Sequence, residues 1–195
     1  MKKIPRPLSE LCLHPIKQYD PTEKPDDFFR YIDIGSVSNQ TKSIASPKLV
    51  RGADASVRAR QMVKSGDVLV STVRPNLNTV ALVTSELEGE ICSTGFCVLR
   101  SNSELIPAYL FAFVQSRIFV DSLVELVQGA LYPAVTDRQI LAVKIPWIEL
   151  PKQEVIAARF STQFAAITDA KTAAAKQIEE INLLSEKLLG QVFES

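Results

Sequence analysis

The forty residues from Pro151 to Gly190, PKQEVIAARFSTQFAAITDAKTAAAKQIEEINLLSEKLLG, decide how this chain is organised. Between Lys152 and Leu189 there is neither glycine nor proline, and apolar side chains recur as Ile156, Phe160, Phe164, Ile167, Ala170, Ala174, Ile178, Ile181, Leu184 and Leu188. Nine steps carry this seam over 32 residues, a mean of about 3.6, which is the α-helical period. Pro151 fits the first helical position, where its missing N–H has no intrahelical use, and Gly190 stands where helices commonly stop. At 1.5 Å per residue the rod is about 55 Å long, beyond the diameter of the domain that the other residues can form. The seam therefore asks for a partner helix, and Ala170, Ala173, Ala174 and Ala175 permit close approach near its middle.

Upstream, about 150 residues are enough for one domain with its own core, and no second full domain fits. Of the 195 residues 46% are hydrophobic and 23% charged, a globular composition that argues against wholesale disorder. No apolar run reaches the length that crosses a bilayer, and the opening MKKIPRP lacks a signal-peptide core, so no membrane association and a cytoplasmic location are expected. Cys12, Cys92 and Cys97 form no C-x-x-C pair, which suggests neither a disulfide framework nor a metal site. His14 is the only histidine. A Cys12–His14 pair would be too close along one strand to serve a common substrate atom, and acid–base chemistry has little else to use.

The formal charge is zero, yet it is unevenly spread. Residues 1–75 carry thirteen Lys/Arg against eight Asp/Glu, net +5; residues 76–150 are net −4 and residues 151–195 net −1. Between Lys42 and Lys64, the bases Lys42, Lys48, Arg51, Arg58, Arg60 and Lys64 face one acid, Asp54. A patch of this kind holds phosphates even on a neutral protein.

Turn and period signals order the rest. The proline-rich first thirty residues read as an irregular lead-in around Leu8–Leu13, and Tyr31–Gly35 as a strand. Ser36–Lys64, polar and basic, reads as a long surface loop with one helical turn near Val57–Val63. Val68–Val73 and Thr79–Thr84, joined by Arg74–Asn78, form a hairpin whose strands are apolar on both faces, as at the centre of a sheet. Ile91–Cys92 and Gly95–Leu99 are strands, Pro107–Val127 a helix, Gln128–Pro133 a loop and Ala142–Ile145 a last strand. The fold class is α+β: a mixed α/β domain over residues 1–150, then the long helix over 151–195.

Several of these segments, in this order, resemble the specificity subunits of type I restriction-modification systems. They are Tyr31-Ile32-Asp33-Ile34-Gly35, the run Ala59 to Pro75, the run Ser93 to Arg100, Pro107-Ala108-Tyr109-Leu110, and Ile145-Pro146 leading to Leu150-Pro151-Lys152-Gln153-Glu154-Val155-Ile156-Ala157. The resemblance covers nearly the whole chain. It implies a DNA target recognition domain over 1–150 and a spacer helix from 151, in a recognition subunit that is not itself an enzyme and needs no cofactor. Family members carry two recognition domains and two antiparallel spacer helices, whereas this sequence has one of each. The second helix is then expected from another copy, in an antiparallel coiled coil of a homodimer. The implied partners are double-stranded DNA, an adenine methyltransferase (modification) subunit and a restriction subunit; the implied target is bipartite and palindromic.

For the basic segment the resemblance favours phosphate contact by Lys42, Lys48, Arg51 and Arg58, with Lys64 in the same patch, and base-edge readout by some of Asn39, Gln40, Arg60 and Gln61. Arg74, Asn76, Asn78 and Tyr132, on connecting loops, are further DNA-binding candidates. The competing class is a coiled-coil assembly adaptor that reads no DNA sequence, its charge patch being incidental. An enzyme with Cys92 or Cys97 as nucleophile is a third.

Overall fold

The structure, a computed structural model, describes residues 4–193, except for the side chains of 185, 186 and 188–193. In chain order its elements are β1 (Ile4–Pro7), α1 (Leu8–Leu11), β2 (Cys12–Leu13), β3 (Phe28–Ile32), β4 (Val37–Ser38), β5 (Ser43–Ile44) and β6 (Lys48–Arg51). There follow β7 (Ala59–Met62), β8 (Val68–Ser71), β9 (Val80–Leu82), β10 (Ile91–Ser93) and β11 (Phe96–Ser101). The chain closes with α2 (Pro107–Val114), α3 (Arg117–Val124), α4 (Asp137–Ala142), β12 (Lys144–Trp147) and α5 (Leu150–Phe193). Two compact units result, Met1–Ala158 and Arg159–Ser195.

The first unit is mixed α/β, built on two four-stranded sheets ordered β6-β3-β10-β7 and β2-β11-β8-β9. Side chains of β8 and β11 alternate between two cores, as the period of two requires. Val68, Val70, Cys97 and Leu99 pack with Leu110 and Phe113 of α2, Phe119 and Leu123 of α3, and Ile140 of α4. Leu69, Phe96 and Val98 pack the other way, on Ile16, Ile32, Val37, Val63 and Cys92. These strands are therefore apolar on both faces because both faces are covered. The return strand of the hairpin, β9, lies at the hydrogen-bonded edge rather than the centre, although Val80 and Ala81 are buried.

Elsewhere the folded chain departs from its sequence reading. Ser36–Lys64 is not a loop but β4, β5, β6 and β7 with short 3-10 turns. These strands of two to four residues are too brief to display a period. The expected helical turn near Val57–Val63 contains β7, where Ala59 and Gln61 are buried and Arg60 and Met62 half-exposed. The opening strand runs Phe28–Ile32, and Asp33 then caps a 3-10 turn by accepting from the Ser36 N–H at 2.9 Å. The single helix expected over 107–127 is divided at Ser116, whose side chain caps α3. Its signal, and that of the unforeseen α4 with its Thr136/Gln139 capping box, lies in residue types that favour helix N-termini.

The proline-rich lead-in begins with β1, which pairs with β12 and sets Pro5 opposite Pro146. A two-stranded sheet consists only of edges, so neither proline removes a ladder bond that the fold needs. The long helix starts at Leu150 and passes through Gly190 to Phe193. One helical glycine costs only about 1 kcal/mol relative to alanine, too little to stop so long a helix.

Two of the quoted sequence motifs meet in space. The Arg100 guanidinium grips Asp67 through two hydrogen bonds of 2.8 and 2.7 Å, and Asp67, 1% exposed, also accepts from the Lys64 N–H at 2.8 Å. The intervening Gly66, at φ +85°, makes the turn that an L side chain resists. At the start of α5, Gln153 is fully buried: its amide donates to the carbonyls of Ile148 (2.7 Å) and Glu104 (3.0 Å) and accepts from the Ile106 N–H (2.9 Å). The Pro-x-Gln motif thus fastens the first turns of α5 to the N-terminus of α2. Ala157 completes this packing, which is why the compact unit reaches residue 158.

Candidate nucleic-acid interface

Strand pairing brings several chain segments to one end of the two sheets. Ser71 at the end of β8 faces Phe96 at the start of β11, and Ala59 at the start of β7 faces Ser93 at the end of β10. Parallel β3 ends there too, beside β10. The segments beyond these residues are stitched together. The Thr72 N–H and hydroxyl both donate to the Gly95 carbonyl at 2.9 Å, and the Thr94 N–H donates to the Arg58 carbonyl at 2.8 Å. A Cβ on Gly95 would stand 3.0 Å from Ile34, so glycine lets the turn close on its neighbour.

Two further loops dock at this end. The Arg74 N–H donates to the Pro133 carbonyl and the Val135 N–H to the Thr72 carbonyl, each at 2.8 Å, tying the 128–134 loop to the β8–β9 connection. The β4–β5 turn reaches over from the other side, where the Lys42 ammonium donates to the Asn78 carbonyl. Asn39, Gln40, Arg58, Arg74, Asn76 and Tyr132 are exposed, and Lys42 and Asn78 half-buried. Sequence reasoning missed Thr72, Thr94 and the exposed Leu77 and Leu131 of this end. The only hint was an apolar residue standing in a polar loop.

Lys42, Arg74 and Asn78 are also the three non-glycine residues with positive φ among the described residues, at 53°, 49° and 47°. The left-handed region costs an ordinary L residue roughly 1–2 kcal/mol. Such strain persists where surrounding structure over-determines it and collects at functional sites.

The remaining residues of the basic segment are dispersed. Lys48 pairs with Asp33 at 2.7 Å, Arg60 with Asp20 at 3.3 Å, and Arg51 with Asp26. Sequence counting found one acid in this patch, whereas the fold supplies three more from upstream. Burial alone would raise the Asp33 carboxyl, but hydrogen bonds from Lys48 and Ser36 outweigh it and hold the group below its ordinary value. The Asp33 hydrogen bond in turn raises Lys48. Arg51 faces Phe28 at the far end of β6, and Lys64 follows β7 at the far end of the sheet. Gln61 is removed from base readout: it is 6% exposed, and its amide donates to the carbonyls of Ser93 (3.0 Å) and Phe96 (2.8 Å). An amide on alternate β7 positions points inward, so it satisfies core carbonyls that would otherwise lack a partner.

The three thiols are buried. Burial pushes Cys12 up to about 12 and raises Cys92 and Cys97 as well, so none offers the thiolate that a nucleophile requires. His14 is exposed while Cys12 is buried. Among the described residues no three His, Cys, Asp or Glu side chains gather as metal ligands, and no helix is long and apolar enough to cross a membrane. A cleft of about 470 Å³ opens among Lys17, Tyr19, Phe28, Phe29, Glu88 and Ile91, and no residue picked out from the sequence lines it.

On α5 the seam is open. Ile156, Ile167, Ala170, Ala174, Ile178, Ile181 and Leu184 are exposed, and Phe160 and Phe164 stack at 5.5 Å while half-exposed. The side chain of Leu188 lies outside the described residues.

The class so defined is a mixed α/β domain with a polar loop cluster at one sheet end, followed by a long helix with an exposed apolar seam. No family model matches the chain, nor does any curated protein. Solved structures do. The HsdS subunit of Thermoanaerobacter tengcongensis aligns with a TM-score of 0.81 and 36% identity, over 98% of this chain and 49% of that one. A chain from a structure addressing complex assembly and conformational transition of the type I R-M system aligns at 0.84 and 36%, over 97% and 49%. The protein belongs to the HsdS family of type I restriction-modification specificity subunits, and it spans about half the length of the HsdS chains it matches.

Proposed function

We propose that this chain is the DNA-reading half of a type I specificity assembly, with residues 1–150 as the target recognition domain and the helix from 151 as spacer and dimerisation element. The observation that carries the reading is 36% identity to HsdS over nearly the whole chain. The loop cluster is its reading surface. Asn39, Gln40, Arg74 and Asn76 supply the amide and guanidinium groups that pair with adenine and guanine edges, and Arg58 flanks them as a phosphate contact. The chain is a recognition subunit, and the chemistry belongs to a separate adenine methyltransferase and an accompanying restriction subunit.

The second spacer helix comes from another copy. Reversed on itself, the seam pairs Ile156 with Leu188, Phe160 with Leu184, Phe164 with Ile181, Ile167 with Ile178 and Ala170 with Ala174. The numbers of each pair add to 344 or 345, so the seam reads nearly alike in both directions, as an isologous antiparallel contact requires. Large residues then meet large ones, and alanines meet at the dyad. Two identical readers related by that dyad select an interrupted palindrome.

The test is to co-express the chain with its cognate methyltransferase subunit and map methylated adenines. A symmetric interrupted motif is expected; an asymmetric motif refutes the homodimer. Direct binding to duplex DNA should weaken steeply as salt rises, because bound phosphates release counterions. Absence of binding even with the methyltransferase subunit present would leave the assembly-adaptor reading in its place.

A further inference from the structure

We infer that Lys42, counted from sequence among the phosphate contacts, is instead a positioning residue that fixes which bases the Arg74–Asn78 loop reads; the inference rests on the DNA-reading function proposed above. The ammonium does not extend from the protein as a phosphate contact would. It is half-buried and donates to the Asn78 carbonyl, thirty-six residues away in sequence and on the neighbouring loop. That carbonyl belongs to the residue that closes the 3-10 turn Pro75–Leu77.

The loop it holds is bracketed by left-handed residues, Arg74 before the turn and Asn78 after it. Two such reversals, with three residues between them, drive Pro75 inward, where it is buried beside Phe119, Val120 and Leu123, and leave Asn76 and Leu77 exposed at the tip. Hydrogen bonds inside the turn run from the Leu77 N–H to the Arg74 carbonyl (2.9 Å) and from the Asn78 N–H to the Pro75 carbonyl (3.0 Å). From outside, Pro133 fastens the Arg74 end and Lys42 the Asn78 end. Lys42 is itself left-handed, so the β4–β5 turn is bent to bring its ammonium to this carbonyl.

Base readout tolerates little positional error, since a bidentate pair is lost when its donor and acceptor shift by about an ångström. An anchor at each end of the loop therefore acts on specificity. A phosphate contact acts on affinity for all sequences alike.

The two roles separate in one experiment. The full chain and the variant Lys42→Met are each used to select duplexes from a pool randomised over the target, and the salt dependence of binding is measured on one selected duplex. Lys42→Met keeps the aliphatic stem and the backbone demand, and removes only the donor. Base preference is expected to fall about ten-fold at the positions read by Asn76 and Arg74, with the slope of log affinity against log salt unchanged. Asn76→Ala should lose preference at some of the same positions, and the double variant should lose no more there than Asn76→Ala alone. Lys42→Ala, which also removes the donor, should reproduce the pattern and stands in should Lys42→Met fail to fold. Uniform weakening on every sequence, with a salt slope lower by about one, overturns the inference and restores Lys42 as a phosphate contact. A wild-type chain that selects no sequence overturns the function proposed above and this inference with it.

Discussion

Replacing Ile167 and Ile178 together by Asp should convert the protein to a monomer, and the size of the effect follows from how much of each side chain remains to be covered. The two isoleucines are 51% and 60% exposed. Full burial of such a side chain stabilises by about 1.5–3 kcal/mol, so covering the remaining half contributes roughly 1 kcal/mol each. In the antiparallel pairing Ile167 of one copy faces Ile178 of the other, and the contact occurs twice, giving four side chains and about 3–6 kcal/mol. An aspartate forced into that interface lacks a partner and adds a desolvation penalty of several kcal/mol. Even the lower figure weakens dimerisation by about a hundred-fold, at 1.4 kcal/mol per factor of ten. Sedimentation equilibrium over a concentration series measures it directly. Asp169→Asn, on the opposite helix face, serves as the control and should leave the dimer intact. The thermal transition of the first unit should hardly move, because neither isoleucine belongs to its core. The variant should keep weak affinity for a half-site and lose recognition of the complete site. A double-Asp variant that stays dimeric means that the seam is not the interface, and a wild-type chain that sediments as a monomer refutes self-association itself.

Other outcomes test the fold and its electrostatics. Arg100→Met leaves the buried Asp67 carboxylate without its cation and should cost about 3–5 kcal/mol, lowering the unfolding midpoint by roughly 6–20 °C; a change below about 2 °C would show that the pair is dispensable. Gln153→Ala should cost about 3 kcal/mol or more in denaturant, because the Ile148 carbonyl and Ile106 N–H lose their amide partner in the interior; a neutral result would mean that the Pro-x-Gln clamp is not a fastening. A thiol reagent at mildly alkaline pH should find no fast-reacting cysteine in the native protein and all three after denaturation, since the free thiols are buried; a rapid native phase would return a cysteine to consideration as a nucleophile. Asp33, whose carboxyl is held below its ordinary value of 3.8, contributes stability that is present above that pH and lost as acidification passes its lowered folded value. Its partner Lys48 is 66% exposed, so Asp33→Asn should cost less than about 1 kcal/mol at neutral pH and flatten the acid limb of the stability profile.

Much of the candidate surface was legible in the sequence as individual residues, but not as a surface. Asn39, Gln40, Arg58, Arg74, Asn76, Asn78 and Tyr132 stand out as polar or aromatic residues near turn signals, and they do gather at one sheet end. Nothing local shows that the Pro133 carbonyl accepts from Arg74 or that Lys42 reaches Asn78. Gln61 shows the converse error. Its polarity suggested base readout, while the two-residue period of β7 turned it inward. The charge count failed for a related reason: Asp20, Asp26 and Asp33 lie outside the window in which the bases were counted, yet they meet Arg60, Arg51 and Lys48 once the strands pair.

What the sequence determined by itself was whatever repeats along consecutive residues. The period of the 151–189 run specifies a helix with one apolar stripe, and the consecutive apolar residues Val68-Leu69-Val70 require a sheet covered on both sides. Helix and strand period are properties of neighbouring residues, so they survive reading without a fold. Only the tertiary structure decided which loops share an end, which cations are already neutralised and which polar groups face inward. Those depend on strand register between residues far apart in sequence, where shifting a pairing by one residue exchanges the two faces of a strand.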